Sequence, residues 1–313
     1  MTIDRVTVAI CTWNRAKLLR VTLDALCQQE LPAGVSWEVL VVDNNSPDDT
    51  ADVVQEFVGK LPVRYLFEGR QGKSYALNRV LDESTSDWVV FTDDDVRLPT
   101  GWLAAYLRAT VAADSDVAFL GGPVVPWFVT PPDPTLAEAF PEVRGGFCEV
   151  PIQTDPEVHV DGILPVGANC ALHRGRLGNR RFDPRLGPTG GGRIIGEEHK
   201  MFRELLSSGF RGRWVADTIL EHYVIPARLK PGHLCRTFFD LGRMNVLTNG
   251  MPTGRRLVGV PIWAVQQFAV AVAQAGASRM CGDRVDSYRQ LALAVRRAGL
   301  AWQCYRGVPA HAD

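Results

Sequence analysis

The sequence predicts an α/β fold with a mostly parallel sheet, helices on both of its faces, and a helical C-terminal extension. Strand-like and helix-like segments alternate through the first half, polar residues directly follow several strands, and the pattern turns helical beyond Pro226. Alternating strands and helices form parallel sheets through right-handed crossovers. With 313 residues, 46% of them hydrophobic and 22% charged, the chain can bury such a core and is not disordered.

Hydrophobic periodicity defines the individual elements. Short apolar runs rich in β-branched residues predict strands, and apolar residues at helical spacing predict helices. In order, these are strand 6–11, helix 13–28, strand 38–42, helix 50–58, strand Val63–Phe67, helix 74–82 and strand Trp88–Thr92. The proline- and glycine-rich middle of the chain, about 121–196, contains one strand candidate, 164–172, and is followed by helix 197–208 and strand 212–215. We expect one domain over 1–226 and a helical extension over 227–313.

Charge also separates these two parts. Residues 227–313 carry 12 Lys+Arg against 4 Asp+Glu, a net charge of +8. Residues 1–226 carry 22 against 31, a net charge of −9. An acidic body suits a cation-binding site, and a basic extension suits an anionic surface.

The cysteines and the N-terminus indicate the compartment. Seven cysteines are an odd number, and no two have C-x-x-C spacing, so we expect reduced thiols. The N-terminal segment MTIDRVTVAICTWNR has only a short apolar run, so we expect a first strand there and no signal peptide. Both features predict a cytoplasmic chain.

The segment VVFTDDDV carries the strongest chemical signal. A buried strand delivers Asp93, Asp94 and Asp95 into a turn, where the repulsion of three carboxylates is costly. Hard divalent cations take oxygen ligands, so the segment predicts a Mg²⁺ or Mn²⁺ site. In an extended segment Asp93 and Asp95 face one side and Asp94 the other. Taken alone, a solvated acidic turn is the alternative.

Polar residues also follow the other strands or begin a helix beside them. In parallel sheets ligands bind outside the carboxyl ends of the strands, and phosphate binds at helix N-termini. Turn, cap and surface roles explain each residue singly, but their combination predicts a binding site. The residues that ICTWNR, VVDNNS and RQGKSYALNR place there are Thr12, Asn14, Arg15, Asp43, Asn45, Gly72, Lys73 and Asn78.

Together the motifs resemble those of family 2 glycosyltransferases, whose catalytic domain has the GT-A fold. The resemblance covers about residues 5–225 and keeps the family's motif order, which is TWNR, VVDNNS, QGKSYALN, FTDDDV, GANCALHR, GEEHKMFRELLSSGF and EHY. It implies an inverting, hexosyltransferase-type enzyme of polysaccharide or glycolipid synthesis. Such an enzyme moves sugar from a nucleotide-diphosphate sugar, for example a UDP-sugar, to a hydroxyl of a glycan or lipid-linked acceptor. The nucleotide-binding half would be 1–120 and the acceptor half 121–226.

The resemblance implies roles in donor binding and catalysis. Thr12, Asp43 and Lys73 would hold the base, ribose or phosphate of the nucleotide. Glu198 stands where the family has its catalytic aspartate, and Glu197 is the fallback. A base there would take the proton of the attacking hydroxyl, with a rate gain of roughly 10²–10⁴. Two acids in a helix's first turn can also simply favour the helix dipole.

It also implies a metal site. Asp93 and Asp95 would form the D-x-D pair that binds a divalent cation, although counting back from Pro99 leaves Asp94 open as the direct ligand. His222 of EHY matches a histidine that ligates the metal in many GT-A enzymes. An ordinary buried or capping histidine is the alternative.

The extension contains an uncharged stretch of 22 residues, 257–278, between Arg255–Arg256 and Arg279. Its length would permit a membrane span, but three glutamines, Gly259 and Pro261 make its hydropathy marginal. The other interpretations are a buried helix hairpin and a helix lying on the membrane surface. We expect peripheral contact of 227–313 with an anionic membrane, at its cytoplasmic face.

Two other functions are compatible with parts of the pattern. A nucleotidyltransferase shares the sheet and the aspartates, but it would open with a glycine-rich loop that ICTWNR does not provide. A non-catalytic nucleotide- or glycan-binding module is possible if Glu198 is not positioned as a base. We expect no nucleic-acid partner.

Overall fold

The computed structural model describes residues 5–189 and 192–307, so the first residues of the segment considered for a signal peptide lie outside it. The strands are β1 (Arg5–Thr12), β2 (Ser36–Asp43), β3 (Val63–Phe67), β4 (Trp88–Thr92), β5 (Val96–Arg97), β6 (Val117–Gly121), β7 (Val124–Phe128), β8 (Asn169–His173), β9 (Gly187–Thr189), β10 (Gly192–Ile194), β11 (Arg211–Trp214), β12 (Leu220–Val224), β13 (Arg256–Leu257) and β14 (Val260–Pro261). The α-helices are α1 (Ala16–Cys27), α2 (Thr50–Gln55), α3 (Lys73–Glu83), α4 (Trp102–Val111), α5 (Pro134–Val143), α6 (Arg174–Leu177), α7 (Glu197–Ser207), α8 (Pro231–Asn249), α9 (Ile262–Met280) and α10 (Arg284–Arg306). Two 3₁₀ turns cover Arg144–Phe147 and Pro226–Leu229.

A seven-stranded sheet has the order β11-β6-β8-β4-β1-β2-β3. Strands β3, β2, β1 and β4 are parallel, whereas β8 runs antiparallel to both β4 and β6. Thr12 lies beside Asp43 in the register, and Ile10 lies beside Thr92. The polar residues after β1, β2 and β4 therefore gather at one edge. The predicted α/β fold with a mostly parallel sheet is confirmed.

Alternating strand residues build a core on each face of this sheet. In β1, Val8 and Ile10 belong to one apolar cluster, which contains side chains of α1 and α4. Ala9 belongs to the other, with side chains of α3 and α7. This follows from the period of two in a strand.

A short ladder joins two segments that are far apart in the sequence. β12 pairs antiparallel with β5, with His222 opposite Val96 and Glu221 opposite Arg97. The Tyr223 amide donates a hydrogen bond of 2.8 Å to the carbonyl of Asp95. The ladder therefore carries the histidine of EHY to the end of the aspartate run.

The chain divides into two compact units, and the site residues considered below belong to the first. The second unit comprises Phe128–Phe147, Arg193–Gly196 and Val224–Asp313. Within it, α8 and α10 cross closely: a Cβ atom on Gly242 would lie 1.9 Å from the carbonyl oxygen of Arg296. The predicted division at residue 226 stays a prediction.

Helix α9 occupies most of the uncharged stretch, and only its Ala264 and Ala271 are buried. The interpretation of this stretch as a buried helix is therefore wrong. Among the described residues, no helix combines the length and the apolar character that crossing a bilayer requires. All seven cysteines are free thiols in the structure.

Several elements differ from their predicted bounds. The strand predicted over 164–172 begins only at Asn169, because a turn with a hydrogen bond from the Asn169 amide to the Val166 carbonyl precedes it. The predictions also omitted α4, β6 and β12. β12 has only five residues and is recognisable mainly through its pairing with β5.

Candidate metal and active site

The candidate metal centre consists of Asp93, Asp95 and His222. One ligand atom from each lies within 4.8 Å of the others. His222 Nε2 is 3.5 Å from Asp93 Oδ2 and 3.2 Å from Asp95 Oδ1. Burial alone would raise the pKa of Asp93, but the Lys73 ammonium and His222 hold it below its ordinary value.

One oxygen of this group is suited to a cation. Asp95 Oδ1 is buried and has no hydrogen-bond partner among the described residues. The His222 ring is close to it, yet the two atoms are not aligned for a hydrogen bond. A buried oxygen without a partner is costly, and a cation bound by the three converging side chains would supply that partner. The residues present therefore fit a divalent cation.

Asp94 has different partners, and it lies in the turn between β4 and β5 and not in the extended segment that the sequence analysis assumed. Its carboxylate accepts a hydrogen bond of 2.7 Å from Thr12 Oγ1 and one of 3.0 Å from Arg15. Arg15 also donates to Asp95 Oδ2 at 2.6 Å. Burial and the neighbouring carboxylates raise the pKa of Asp94 to about 6, although Arg15 opposes the shift. Thr12 and Arg15 thus orient the aspartate run, which the sequence did not predict.

Lys73, in the first turn of α3, stands between two carboxylates. Its ammonium is 3.0 Å from Asp93 Oδ1 and 3.5 Å from Glu198 Oε1. Burial would lower the pKa of Lys73, but these carboxylates raise it well above its ordinary value. The structure therefore brings the predicted base and one predicted metal ligand, Asp93, to the same lysine.

The two glutamates that begin α7 differ in their surroundings. The Glu198 side chain is 14% exposed and lies against Gly167, where an added Cβ would be 2.2 Å from Oε1. Glu197 is 3% exposed and lies near Gly187. Only Glu198 combines access to solvent with contact to Lys73. Gly167 had no predicted role, although its place in the GANC motif was a possible signal.

Asp43 ends β2 with its carboxylate already engaged. Oδ1 accepts a hydrogen bond from the Ser46 amide at 2.9 Å, and Oδ2 accepts one from the Tyr65 hydroxyl at 2.7 Å. Tyr65 remains 36% exposed. The phenol is therefore a further polar group beside Asp43, and the sequence analysis did not include it.

The remaining predicted residues shape the surrounding turns. Asn14 and Asn45 both have positive φ, which asparagine tolerates better than most residues. Gly72 precedes α3 with a φ of 140°, and its amide donates to the Asn44 side chain at 2.7 Å. Asn78 is engaged elsewhere: its amide makes two hydrogen bonds with the backbone of Phe182. We assign Asn78 no part in the site proposed below.

Comparison with known sequences finds a family match over the part of the chain that contains the three aspartates. Residues 7–149 match the model of Glycosyl transferase family 2. Chondroitin synthase of Escherichia coli is 31% identical over 121 residues, 38% of this chain and 17% of that protein. Succinoglycan biosynthesis protein ExoM of Rhizobium meliloti is 27% identical over 199 residues, 59% of this chain and 57% of that protein. The chain thus spans less than two thirds of either relative.

Solved structures extend the similarity to nearly the whole chain. The mannosyltransferase PcManGT from Pyrobaculum calidifontis, in complex with GDP-Man and Mn²⁺, has a TM-score of 0.60 at 21% identity and covers 94% of this chain and 87% of that one. S. aureus TarS 1–349 in complex with UDP-GlcNAc has a TM-score of 0.54 at 14% identity, with coverages of 95% and 90%. At these identities the similarity establishes the fold. The resemblance drawn from the motifs is confirmed: over residues 7–149 the chain has a family 2 glycosyltransferase sequence, on a GT-A fold.

Proposed function

We propose that this protein is an inverting glycosyltransferase of the EC 2.4 class that moves a sugar from a nucleotide-diphosphate sugar to an acceptor hydroxyl. The observation that carries the proposal is the convergence of Asp93, Asp95 and His222 beside Lys73 and Glu198. This reaction needs a set of metal ligands, a positively charged side chain that can bind phosphate, and a carboxylate that the acceptor can reach.

In the proposed donor complex, Asp93, Asp95 and His222 would hold Mn²⁺ or Mg²⁺. The bound cation would stabilise negative charge on the leaving diphosphate. Lys73 donates to the phosphate oxygens from the start of α3, and Thr12 and Arg15 keep the aspartate run in position. Asp43 and Tyr65 contribute polar groups toward the nucleoside.

Glu198 is the proposed general base. A sugar hydroxyl keeps its proton at neutral pH, so its attack on the anomeric carbon requires an acceptor for that proton. The Glu198 carboxylate receives it, the new glycosidic bond forms, and the bond to the diphosphate breaks on the opposite side. A single displacement of this kind inverts the anomeric centre.

The relatives support a donor and acceptor of this general class. The names and complexes of the matched proteins include GDP-Man, UDP-GlcNAc and a GalNAc(5)-diNAcBac-PP-undecaprenol acceptor. We propose a UDP-sugar donor and a glycan or lipid-linked acceptor in polysaccharide or glycolipid synthesis. The proposed place of action is the cytoplasmic face of a membrane.

The test measures nucleoside diphosphate released from UDP-glucose, UDP-GlcNAc and GDP-mannose with Mn²⁺, with and without oligosaccharide acceptors. Acceptor-dependent release is expected for one donor, and it should disappear in excess EDTA. The matched control is Glu198→Gln, which should bind the donor without transferring it. Donor binding with no release of nucleoside diphosphate with any acceptor would favour a binding module. Conversion of the donor and added pyrophosphate into nucleoside triphosphate and sugar 1-phosphate would favour a nucleotidyltransferase.

A further inference from the structure

The second unit exposes apolar side chains at the tip of a hairpin. β13 and β14 pair through Leu257 and Val260, so Val258 and Gly259 form the turn between them. Leu257 is 65% exposed and Val258 is 74% exposed. Large side chains this exposed at neighbouring positions are unfavourable in water unless something covers them.

The backbone of the turn adds a second cost. Val258 has a φ of 49° and Gly259 a φ of 80°. Two-residue turns with positive φ at both positions favour Asn-Gly, and a β-branched residue is strained there. The strained backbone of this turn keeps the apolar side chain of Val258 exposed. This indicates that a partner buries the side chain.

Helix α9 continues this surface directly after the hairpin. Its buried residues, Ala264 and Ala271, occupy one side. Apolar residues at helical spacing on an adjacent side of α9 are exposed and form an apolar stripe along the helix. These residues are Ile262 at 39%, Val265 at 44%, Phe268 at 38%, Val272 at 48% and Met280 at 90% exposure. We call Leu257, Val258 and this stripe the apolar face.

The charges around the apolar face indicate which kind of partner binds it. Residues 241–282 contain four arginines and no aspartate or glutamate. Three of these arginines, Arg255, Arg256 and Arg279, are exposed at the two ends of the apolar stretch. A second copy of this chain would bring the same positive charges together, whereas an anionic lipid surface would neutralise them.

We propose that the apolar face docks on an anionic bilayer, with the hairpin tip inserted at the headgroup level and the arginines on lipid phosphates and carboxylates. Apolar burial and arginine attraction then act together, as in other interfacial helices. This inference does not depend on the proposed transfer reaction, because it concerns binding to lipid alone.

The experiment measures co-sedimentation of the full chain with phosphatidylcholine vesicles that either contain or lack phosphatidylserine, at low and high salt. Binding to the anionic vesicles is expected, with weakening as salt rises. Leu257→Ser combined with Val258→Asn should weaken binding at least tenfold, roughly the effect of exposing one or two apolar side chains. Asparagine suits the turn, so this variant should remain folded.

Three further variants make the result decisive. Val111→Asn removes another exposed valine, 53% accessible, from α4 and should bind as the parent does. Arg255→Gln with Arg256→Gln should weaken binding about fivefold per arginine. Phe268→Gln tests α9 independently if the hairpin variant fails to fold by circular dichroism. The proposal is overturned by equal binding to neutral and anionic vesicles, by no binding, or by self-association that these substitutions abolish.

Discussion

The three consecutive aspartates have different roles because their side chains contact different partners. Asp93 and Asp95 converge on His222, while Asp94 accepts hydrogen bonds from Thr12 and Arg15. This division arises in the turn between β4 and β5, where the three aspartates lie outside both strands. It also means that each aspartate can be tested separately.

Asp95→Asn should lower Mn²⁺ affinity by more than about 100-fold, since the loss of outer-shell partners alone costs 10–100-fold. The substitution removes charge from the oxygen that lacks a hydrogen-bond partner among the described residues. Calorimetric titration with Mn²⁺ measures the change. Asp217→Asn, at a carboxylate 80% exposed, is the control and should leave the affinity unchanged. Unchanged affinity in Asp95→Asn would remove this residue from the metal site.

Glu198→Gln should keep donor binding and lower transfer by about 100-fold or more, because the amide cannot accept the hydroxyl proton. Single-turnover kinetics separates this effect from binding. Glu197→Gln is the matched comparison and should retain most activity, since that carboxylate is buried. If Glu197→Gln is instead the inactive variant, the base lies one residue earlier.

Gly167→Ala should displace Glu198, because the added methyl would lie 2.2 Å from Oε1. We expect kcat to fall roughly 100-fold, the effect of misplacing a reacting group by about 1 Å, with donor Kd unchanged. Partial recovery in Gly167→Ala combined with the shorter Glu198→Asp would identify a positioning role. Gly101→Ala, where an added methyl meets nothing within 4 Å, is the control. Wild-type kcat in Gly167→Ala would refute the argument.

Two glycines determine how closely the backbones of helices α8 and α10 approach each other. Added Cβ atoms on Gly242 and Gly299 would each lie 1.9 Å from a backbone carbonyl oxygen of the other helix. The two backbones can approach this closely only because both positions lack a side chain. Such contacts cannot be relieved by rotating a side chain.

Gly242→Ala should therefore destabilise the protein by at least about 1–3 kcal/mol, the usual cost of overpacking. Gly276→Ala should have the opposite sign, because α9 is open there and alanine favours a helix by up to about 1 kcal/mol. Urea unfolding monitored by circular dichroism measures both. Equal stability of the two variants would contradict the crossing.

For the whole molecule, paired carboxylates govern acid stability. Hydrogen bonds from Arg185 and Lys200 hold the pKa of Asp183 below its ordinary value, and Arg70 does the same for Glu68. A lowered native pKa stabilises the fold above the unfolded pKa, and this contribution is lost as pH falls toward the native pKa.

The free energy of unfolding should thus decline as pH falls below about 4, where unfolded carboxylates begin to take up protons. Asp183→Asn should lower stability at neutral pH and flatten the decline. Urea titrations at neutral pH and at several acidic values measure both effects. A parallel curve for the variant would show that Asp183 does not contribute.

The alternating elements, the mostly parallel sheet and the polar residues at its carboxyl edge could be predicted from the sequence, because they depend on local periodicity and strand ends. Which of those polar groups come into contact could be learned only from the folded structure. The β5–β12 ladder carries His222 to Asp95, and Gly167 makes room for Glu198 from a different strand connection. Such contacts join residues far apart in the chain, and no local pattern encodes their distance. The exposure of α9 also could not be predicted, because an uncharged helix has the same sequence pattern whether it is buried in the protein or exposed for binding to a partner.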